Sequence, residues 1–167
     1  QDLMTHQISE LFESRFLGKQ VRWSGELKRA GTFTYDLVFG DTKGTKAVFD
    51  REQVRRCLIN LVANACHALE EKKESTEDSR IMITAAVDDD EFRVSVADNG
   101  PGIDSKQLEK IFEPLFSTKT FGVGLGLPIV QEIIRRHGGK VTVVSEVGSG
   151  ATITMQLPID PNLPTNG

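Results

Sequence analysis

Three short stretches of this chain carry residue types whose spacing could do chemistry. In "NLVANACHA", Asn60 and Asn64 lie four positions apart, so on a helix they stand one turn above each other, with His67 continuing the row. Asparagine is a poor helix former, and two facing alike inside an apolar segment need a reason. One reason is structural, a pair of buried amides bonded to backbone. The other is an amide oxygen that supplies one ligand to a hard cation such as Mg2+, whose remaining positions go to water and phosphate oxygens. In "DNGPGI", residues 98–103, Asp98 ends a strand as a fixed acceptor. Such a carboxylate could take a hydrogen bond from an exocyclic amine like that of adenine, although Asn-Gly-Pro-Gly is equally a plain turn. In "FGVGLGL", Gly122, Gly124 and Gly126 alternate with apolar residues just before a helical run. Glycines so placed let a backbone approach a phosphate at a helix N-terminus; a flexible loop is the plainer alternative. The run is no P-loop, because Gly126 is followed by Leu127 and Pro128, and its spacing does not fit a dinucleotide fingerprint.

These residues need elements to hold them. Asp50 and Gln53 have the spacing of a capping box and open a helix over 51–71, with Val54, Leu58, Leu61, Val62, Ala65 and Leu69 as its apolar stripe. "RIMITAAV" and "EFRVSVAD" read as strands joined at "DDDE", whose acids mark a solvated hairpin turn. Asp104 and Gln107 repeat the capping pattern before a short helix, "SKQLEKIF". After the glycine loop come a helix and a hairpin made of "KVTVVSE" and "ATITMQLP". Ahead of Asp50, residues 3–16 have loosely helical spacing, and "KQVRWSGEL", "TFTYDLVF" and "TKAVF" read as strands, the last two joined as a hairpin by "DTKG". Strand runs with helices between them predict an α+β fold, a two-layer α/β sandwich whose sheet is covered by helices on one face.

Composition narrows the class. With 167 residues and 38% hydrophobic content the chain suits one core, expected over residues 1–158 with a tail at 159–167. A formal charge of -4 with interspersed signs offers no basic face for nucleic acid. No apolar run approaches the ~20 residues of a membrane span, and no secretion signal is visible. Cys57 and Cys66, nine positions apart on one helix, point to opposite sides and lie ~13 Å apart along it, too far to bridge. Reduced thiols in a cytoplasmic chain are the expectation.

Taken together, "NLVANA", "DNGPGI", "FEPLFSTK" and "GVGLGL" occur in the order and near the separations of the N box, first glycine box, F box and second glycine box of sensor histidine kinases. The chain therefore resembles their catalytic and ATP-binding domain. That domain belongs to the GHKL superfamily shared with type II topoisomerases, mismatch-repair ATPases and Hsp90-like chaperones. The resemblance covers about Asp50 to Pro158. It implies a Bergerat-type fold with a mixed sheet, and ATP and Mg2+ as cofactors. It implies that Asn64 holds Mg2+, supported by Asn60, and that Asp98 pairs with the adenine amino group, with Gly100 and Gly102 letting backbone pass the base. It further implies that Gly122, Gly124, Gly126 and Leu127 line the phosphates, with the glycines as hinges of a lid, and that His67 and Lys119 contact phosphate.

The resemblance also separates two chemistries. In the topoisomerase and chaperone branches a glutamate one turn before the metal-binding asparagine is the general base for water; here that position is Asn60, a neutral amide that cannot accept the proton. Transfer to a protein histidine is thus expected over hydrolysis, with an anti-sigma-type serine kinase or a catalytically degenerate nucleotide-binding scaffold as alternatives. Neither His6 nor His137 sits in an acceptor motif. The expected partners are a separate dimerisation domain bearing the phosphoacceptor histidine and, downstream, a response regulator receiver domain, with no nucleic acid and no membrane contact by this part. The domain is expected in the cytoplasm, with the full-length protein free to be membrane-anchored. Two departures stand out: a possible inserted hairpin at about 29–46, either an accessory extension of the sheet or a docking surface, and a short lid in which Phe112, Phe116 and Phe121 are either core plugs or anchors that swap between lid and partner helix.

Overall fold

The computed structural model describes residues 22–28, 32–39, 50–71, 79–88, 91–115 and 125–159. The expected helix at 3–16, the strand at 45–49, Lys119, Gly122, Gly124, Phe116, Phe121, His6 and residues 160–167 lie outside them. In chain order the elements are β1 (Arg22–Lys28), β2 (Thr32–Phe39), α1 (Arg51–Glu71), β3 (Arg80–Asp88) and β4 (Glu91–Asp98). Then follow α2 (Ser105–Leu108), α3 (Gly126–Arg136), β5 (Lys140–Glu146) and β6 (Gly150–Pro158).

The strands form one sheet in the order β1-β2-β3-β4-β6-β5. Every neighbouring pair is antiparallel except β2 with β3, which run parallel. A parallel pair needs a crossover, and α1 is the helix that makes it. Thr32–Phe39, expected to turn back on the segment after it, instead pairs with β1 on one side and β3 on the other.

Alternation along the strands decides which face is covered. Ile81, Ile83 and Ala85 of β3, Phe92, Val94 and Val96 of β4, and Ile153, Met155 and Leu157 of β6 are buried. Their neighbours in sequence point the other way, as the period of two requires. The register aligns Ile83, Val96, Ile153 and Val143 in one row across four strands. Against this row α1 packs on β3 and β4, while α3 packs on β5, β6 and α1. The predicted stripe of α1, from Val54 through Leu69, is buried throughout. Cys57 and Cys66 are buried as well, because α3 covers a second side of α1. The result is the expected two-layer sandwich.

Capping explains where the helices stop. Asp50 Oδ1 accepts the Gln53 N–H at 3.1 Å, as the sequence predicts. Gln53 does not return the bond to the Asp50 backbone, however; its Nε2 donates to Asp50 Oδ2 at 2.9 Å. The Asp50 N–H goes to His137 Nε2 at 3.0 Å, while His137 Nδ1 meets the Ile133 carbonyl at 2.8 Å. The Asp50 N–H donates to Nε2, so that ring nitrogen is the acceptor. This bond ties the end of α3 to the start of α1. Beyond His137, Gly138 adopts φ +74° and the Gly139 N–H returns to the Ile134 carbonyl, closing α3 with a left-handed turn. The helix after Asp104 is shorter than "SKQLEKIF" predicts. After Leu108 the chain tightens into turns, with the Lys110 N–H on the Gln107 carbonyl and the Glu113 N–H on the Lys110 carbonyl, and Pro114 ends it.

Candidate functional site

Two faces of the site grow from one side of α1. Asn60, Asn64 and Ala68 follow each other at one-turn intervals, which puts their side chains in a row. Asn60, Asn64 and His67 are all half-buried. Opposite Asn64 stands the first residue of α3. A β-carbon on Gly126 would lie 3.7 Å from Asn64 Nδ2 and 3.9 Å from Oδ1. With no side chain at 126, the start of α3 keeps a methyl-sized gap in front of the amide. That helix start has no side-chain cap: Leu125 occupies the capping position without a side-chain hydrogen bond. The first-turn N–H groups of Gly126 and Leu127 therefore have no such partner, and Pro128 has no N–H to satisfy.

One turn further along α1, Ala68 meets the loop after β4. A β-carbon on Gly100 would lie 3.3 Å from Ala68 Cβ and 2.8 Å from Asp98 Oδ1, so only glycine fits between helix and carboxylate. Asp98 has the same parity along β4 as Phe92, Val94 and Val96, which turns its half-buried carboxylate toward the helix layer at the end of an apolar row. Asp98 Oδ1 accepts the Gly100 N–H at 2.9 Å, folding the loop back on itself. A carboxylate accepts up to about four hydrogen bonds, so this bond is compatible with another from an amine.

Four contacts that the sequence did not suggest hold that loop. Asn99 Oδ1 accepts the Arg80 N–H at 2.7 Å and the Asn99 N–H donates to the Arg80 carbonyl at 3.3 Å, extending the β3–β4 ladder by a side chain. The Gly148 N–H donates to the Pro101 carbonyl at 2.8 Å. Ser145 Oγ accepts the Ile103 N–H at 2.8 Å. Gly102 sits at φ +72° and its α-carbon presses on the Glu146 carbonyl, where no side chain would fit. The signal that could have found Ser145 is its place at the end of the inward row Val141, Val143, where a polar residue breaks the pattern.

Residues 49–161 match the model of the family described as histidine kinase-, DNA gyrase B-, and HSP90-like ATPase. The chain belongs to this ATPase family. Among curated relatives of this ATPase domain, the Klebsiella oxytoca sensor histidine kinase ZraS is 41% identical over 66% of this chain and 23% of its own length. The Escherichia coli signal transduction histidine-protein kinase AtoS is 42% identical over 67% of the chain and 18% of its own. The alginate biosynthesis sensor protein KinB of Pseudomonas aeruginosa is 36% identical over 88% of the chain and 22% of its own. The chain thus spans about a quarter or less of these relatives. Among solved structures, the catalytic domain of histidine kinase ThkA superposes with a TM-score of 0.65 at 30% identity, covering 95% of this chain and 93% of that one. Full-length ShkA in complex with AMPPNP gives 0.66 at 26% identity, covering 98% of this chain and 31% of its own. The ATPase domain described here is of the type that forms the catalytic part of sensor histidine kinases.

Within this ATPase domain, the residues expected to hold a nucleotide divide in two. Asn60, Asn64 and His67 share one side of α1, with Gly126 facing Asn64 and Gly100 and Asp98 meeting Ala68 one turn on; Gly102 instead lies against the β5–β6 turn, Leu127 follows Gly126 and packs on the core, and Lys119, Gly122 and Gly124 lie outside the described residues. Among the described residues no group of three or more His, Cys, Asp or Glu side chains gathers to hold a metal. A lone amide oxygen suits Mg2+, which keeps several waters and takes few protein ligands. No helix among the described residues is long and apolar enough to cross a membrane.

Proposed function

We propose that this domain binds ATP with Mg2+ and transfers the γ-phosphate to a histidine on a separate dimerisation domain, from which a response regulator receiver domain draws it. The observation that carries the reading is the row on α1. Asn64 faces Gly126 and the uncapped start of α3, and Ala68, four residues on and so ~6 Å along the axis, faces Gly100 and the Asp98 loop. An anion belongs at the first end, because helix-start N–H groups outside the intrahelical ladder and the helix dipole favour negative charge there. An amine-bearing base belongs at the second, where a fixed carboxylate ends an otherwise apolar row. ATP has both parts in that order. The complex of ShkA with AMPPNP, on a chain similar over almost all of this one, supports nucleotide binding by this fold.

In this reading Asn64 holds Mg2+ through its amide oxygen and Asn60 supports it one turn earlier. Asp98 accepts from the base, Gly100 and Gly102 leave it room, and the N–H groups of Gly126 and Leu127 face the phosphates. His67, and Lys119 with Gly122 and Gly124, complete the phosphate side. Mg2+ neutralises charge on the transferred group, so the protein supplies mainly position. Asn60 cannot take a proton from water, which favours a protein acceptor over hydrolysis. The supply of ATP places this domain in the cytoplasm, and residues 1–158 are taken as one catalytic unit.

Thermal melts with and without ATP and Mg2+ test the binding step. The parent protein should gain several degrees by mass action. Asp98→Asn and Asn64→Ala should each remove the gain while leaving the ligand-free melt within a few degrees. No shift in the parent would sink the reading in favour of a scaffold that has lost nucleotide binding. Incubation with ATP and a helical hairpin from a sensor kinase should then yield acid-labile phosphate; acid-stable phosphate would instead mark a serine kinase.

A further inference from the structure

The β5–β6 hairpin holds the Asp98 loop by backbone contacts and by one hydroxyl. The register sets Ile81, Asp98, Ala151 and Ser145 in a single row across β3, β4, β6 and β5, so Ser145 is two strands, and thus ~10 Å, from Asp98 on the same side of the sheet. Ala151 between them is small. Ser145 Oγ reaches over this gap to accept the Ile103 N–H at 2.8 Å, and it donates to the Gly150 carbonyl at 2.7 Å. Gly150 in turn lies with its α-carbon against the Asp98 carbonyl, at φ +98°, where a side chain would overlap that oxygen. One hydroxyl therefore joins the far end of the "DNGPGI" loop to the strand start that backs Asp98. The other two ties to the hairpin, Gly148 to Pro101 and Gly102 to Glu146, are made by backbone alone. Ser145 supplies the side chain in this set of ties.

We propose that Ser145 is a positioning residue for nucleobase recognition: its two hydrogen bonds fix the loop from Asp98 to Ile103 at the height over α1 that lets Asp98 meet an adenine amine. The proposal rests on the nucleotide reading given above. Ser145 touches no ligand itself. The phosphate side, built on Asn64 and the start of α3, takes part in neither Ser145 hydrogen bond. Loss of the hydroxyl releases the Ile103 N–H and the Gly150 carbonyl together, and the loop then loses its height while the phosphate side keeps its form. The consequence is selective: the contribution of the base falls and that of the phosphates stays.

Isothermal calorimetry with ADP and GDP in the presence of Mg2+ tests this on the parent, Ser145→Thr and Ser145→Val. The two variants match in shape and both suit a strand, but only threonine keeps an oxygen at this site. The expected result is an ADP Kd raised about tenfold in S145V, a change of about 1.4 kcal/mol, with the GDP Kd nearly unmoved, and parental values for both ligands in S145T. Faster amide exchange at Ile103 in S145V alone should accompany it. Equal Kd values in S145V and S145T, or an equal loss for ADP and GDP, would overturn the role assigned to Ser145. Absence of ADP binding by the parent would overturn the nucleotide reading itself, a different result from the first.

Discussion

Gly126 and Asn64 face each other across a gap the width of one methyl group: a β-carbon at 126 would rest 3.7 Å from the Asn64 amide nitrogen, ordinary contact with nothing displaced. Gly126 opens α3 and Asn64 lies in the middle of α1, so the gap is where two packed helices meet a row of polar groups.

The variant Gly126→Ala separates stability from binding. Alanine in place of glycine in a helix gains up to ~1 kcal/mol through propensity and a less flexible unfolded chain. G126A should therefore melt at or slightly above the parent temperature, yet bind ADP with Mg2+ about tenfold more weakly, because its methyl fills the space before Asn64. Calorimetry beside a melting curve reads both. Unchanged affinity would show that the gap is not used.

In the proposed reading, the neutral amide of Asn60 disfavours water as the attacking group. The parent should release inorganic phosphate slowly in steady state, and Asn60→Glu should raise that rate at least tenfold, since a positioned general base is typically worth ~10²–10⁴. A coupled phosphate assay measures it. Rapid release by the parent would argue that water finds another base.

The start of α1 carries a pH dependence with a definite sign. The Gln53 backbone N–H, then its side-chain amide, hold the Asp50 carboxyl below the ordinary value of 3.8. A depressed carboxylate contributes stability that is full above its unfolded value and disappears as pH falls through the folded one. Melts below about pH 4 should show the parent and Asp50→Asn converging, with the parent ahead at neutral pH. Parallel curves throughout would mean the carboxylate is not coupled to folding.

Burial, opposed weakly by Arg56, pushes the Cys57 thiol up from 9.0 to about 12. The folded state thus resists forming the thiolate, and as pH rises above 9.0 the unfolded state, which ionises first, gains; this contribution levels off near 12. Cys57 and Cys66 are both fully buried. At about pH 8 neither should react with iodoacetamide in the folded protein, and both should react once denatured. Mass spectrometry counts the adducts. Modification of either thiol in the folded protein would contradict the packing of α1 between sheet and α3.

What the sequence made legible follows physical reach. The bounds of α1 could be read to the residue because a helical period, a cap at Asp50 and a polar stretch after Glu71 agree within one local window. The strands of the two hairpins that flank α3 were legible from alternation and turn residues for the same reason. The partner of Thr32–Phe39 was not, because its parallel pairing with β3 is made across a whole helix and leaves no local trace. The helix after Asp104 stops at Leu108, short of the span "SKQLEKIF" predicts, and Pro114, with no N–H for the Lys110 carbonyl, leaves the turn before it to the Glu113 N–H. Of the site, the residue types could be read and the distances between them could not: that Gly126 faces Asn64 and Gly100 faces Ala68 depends on how α3 and the Asp98 loop settle on α1. Asn99 and Ser145 escaped notice because their partners, Arg80 and Ile103, are 19 and 42 residues away.

The bond from the Asp50 N–H to His137 adds something to the geometry at Gly126. α3 is fastened to α1 at one tip, where His137 takes the Asp50 N–H, and its other tip faces Asn64 across an open gap. A helix bonded in this way at its far end resists sliding along its own axis. The width of the slot at its head is thus governed partly by an anchor a whole helix away.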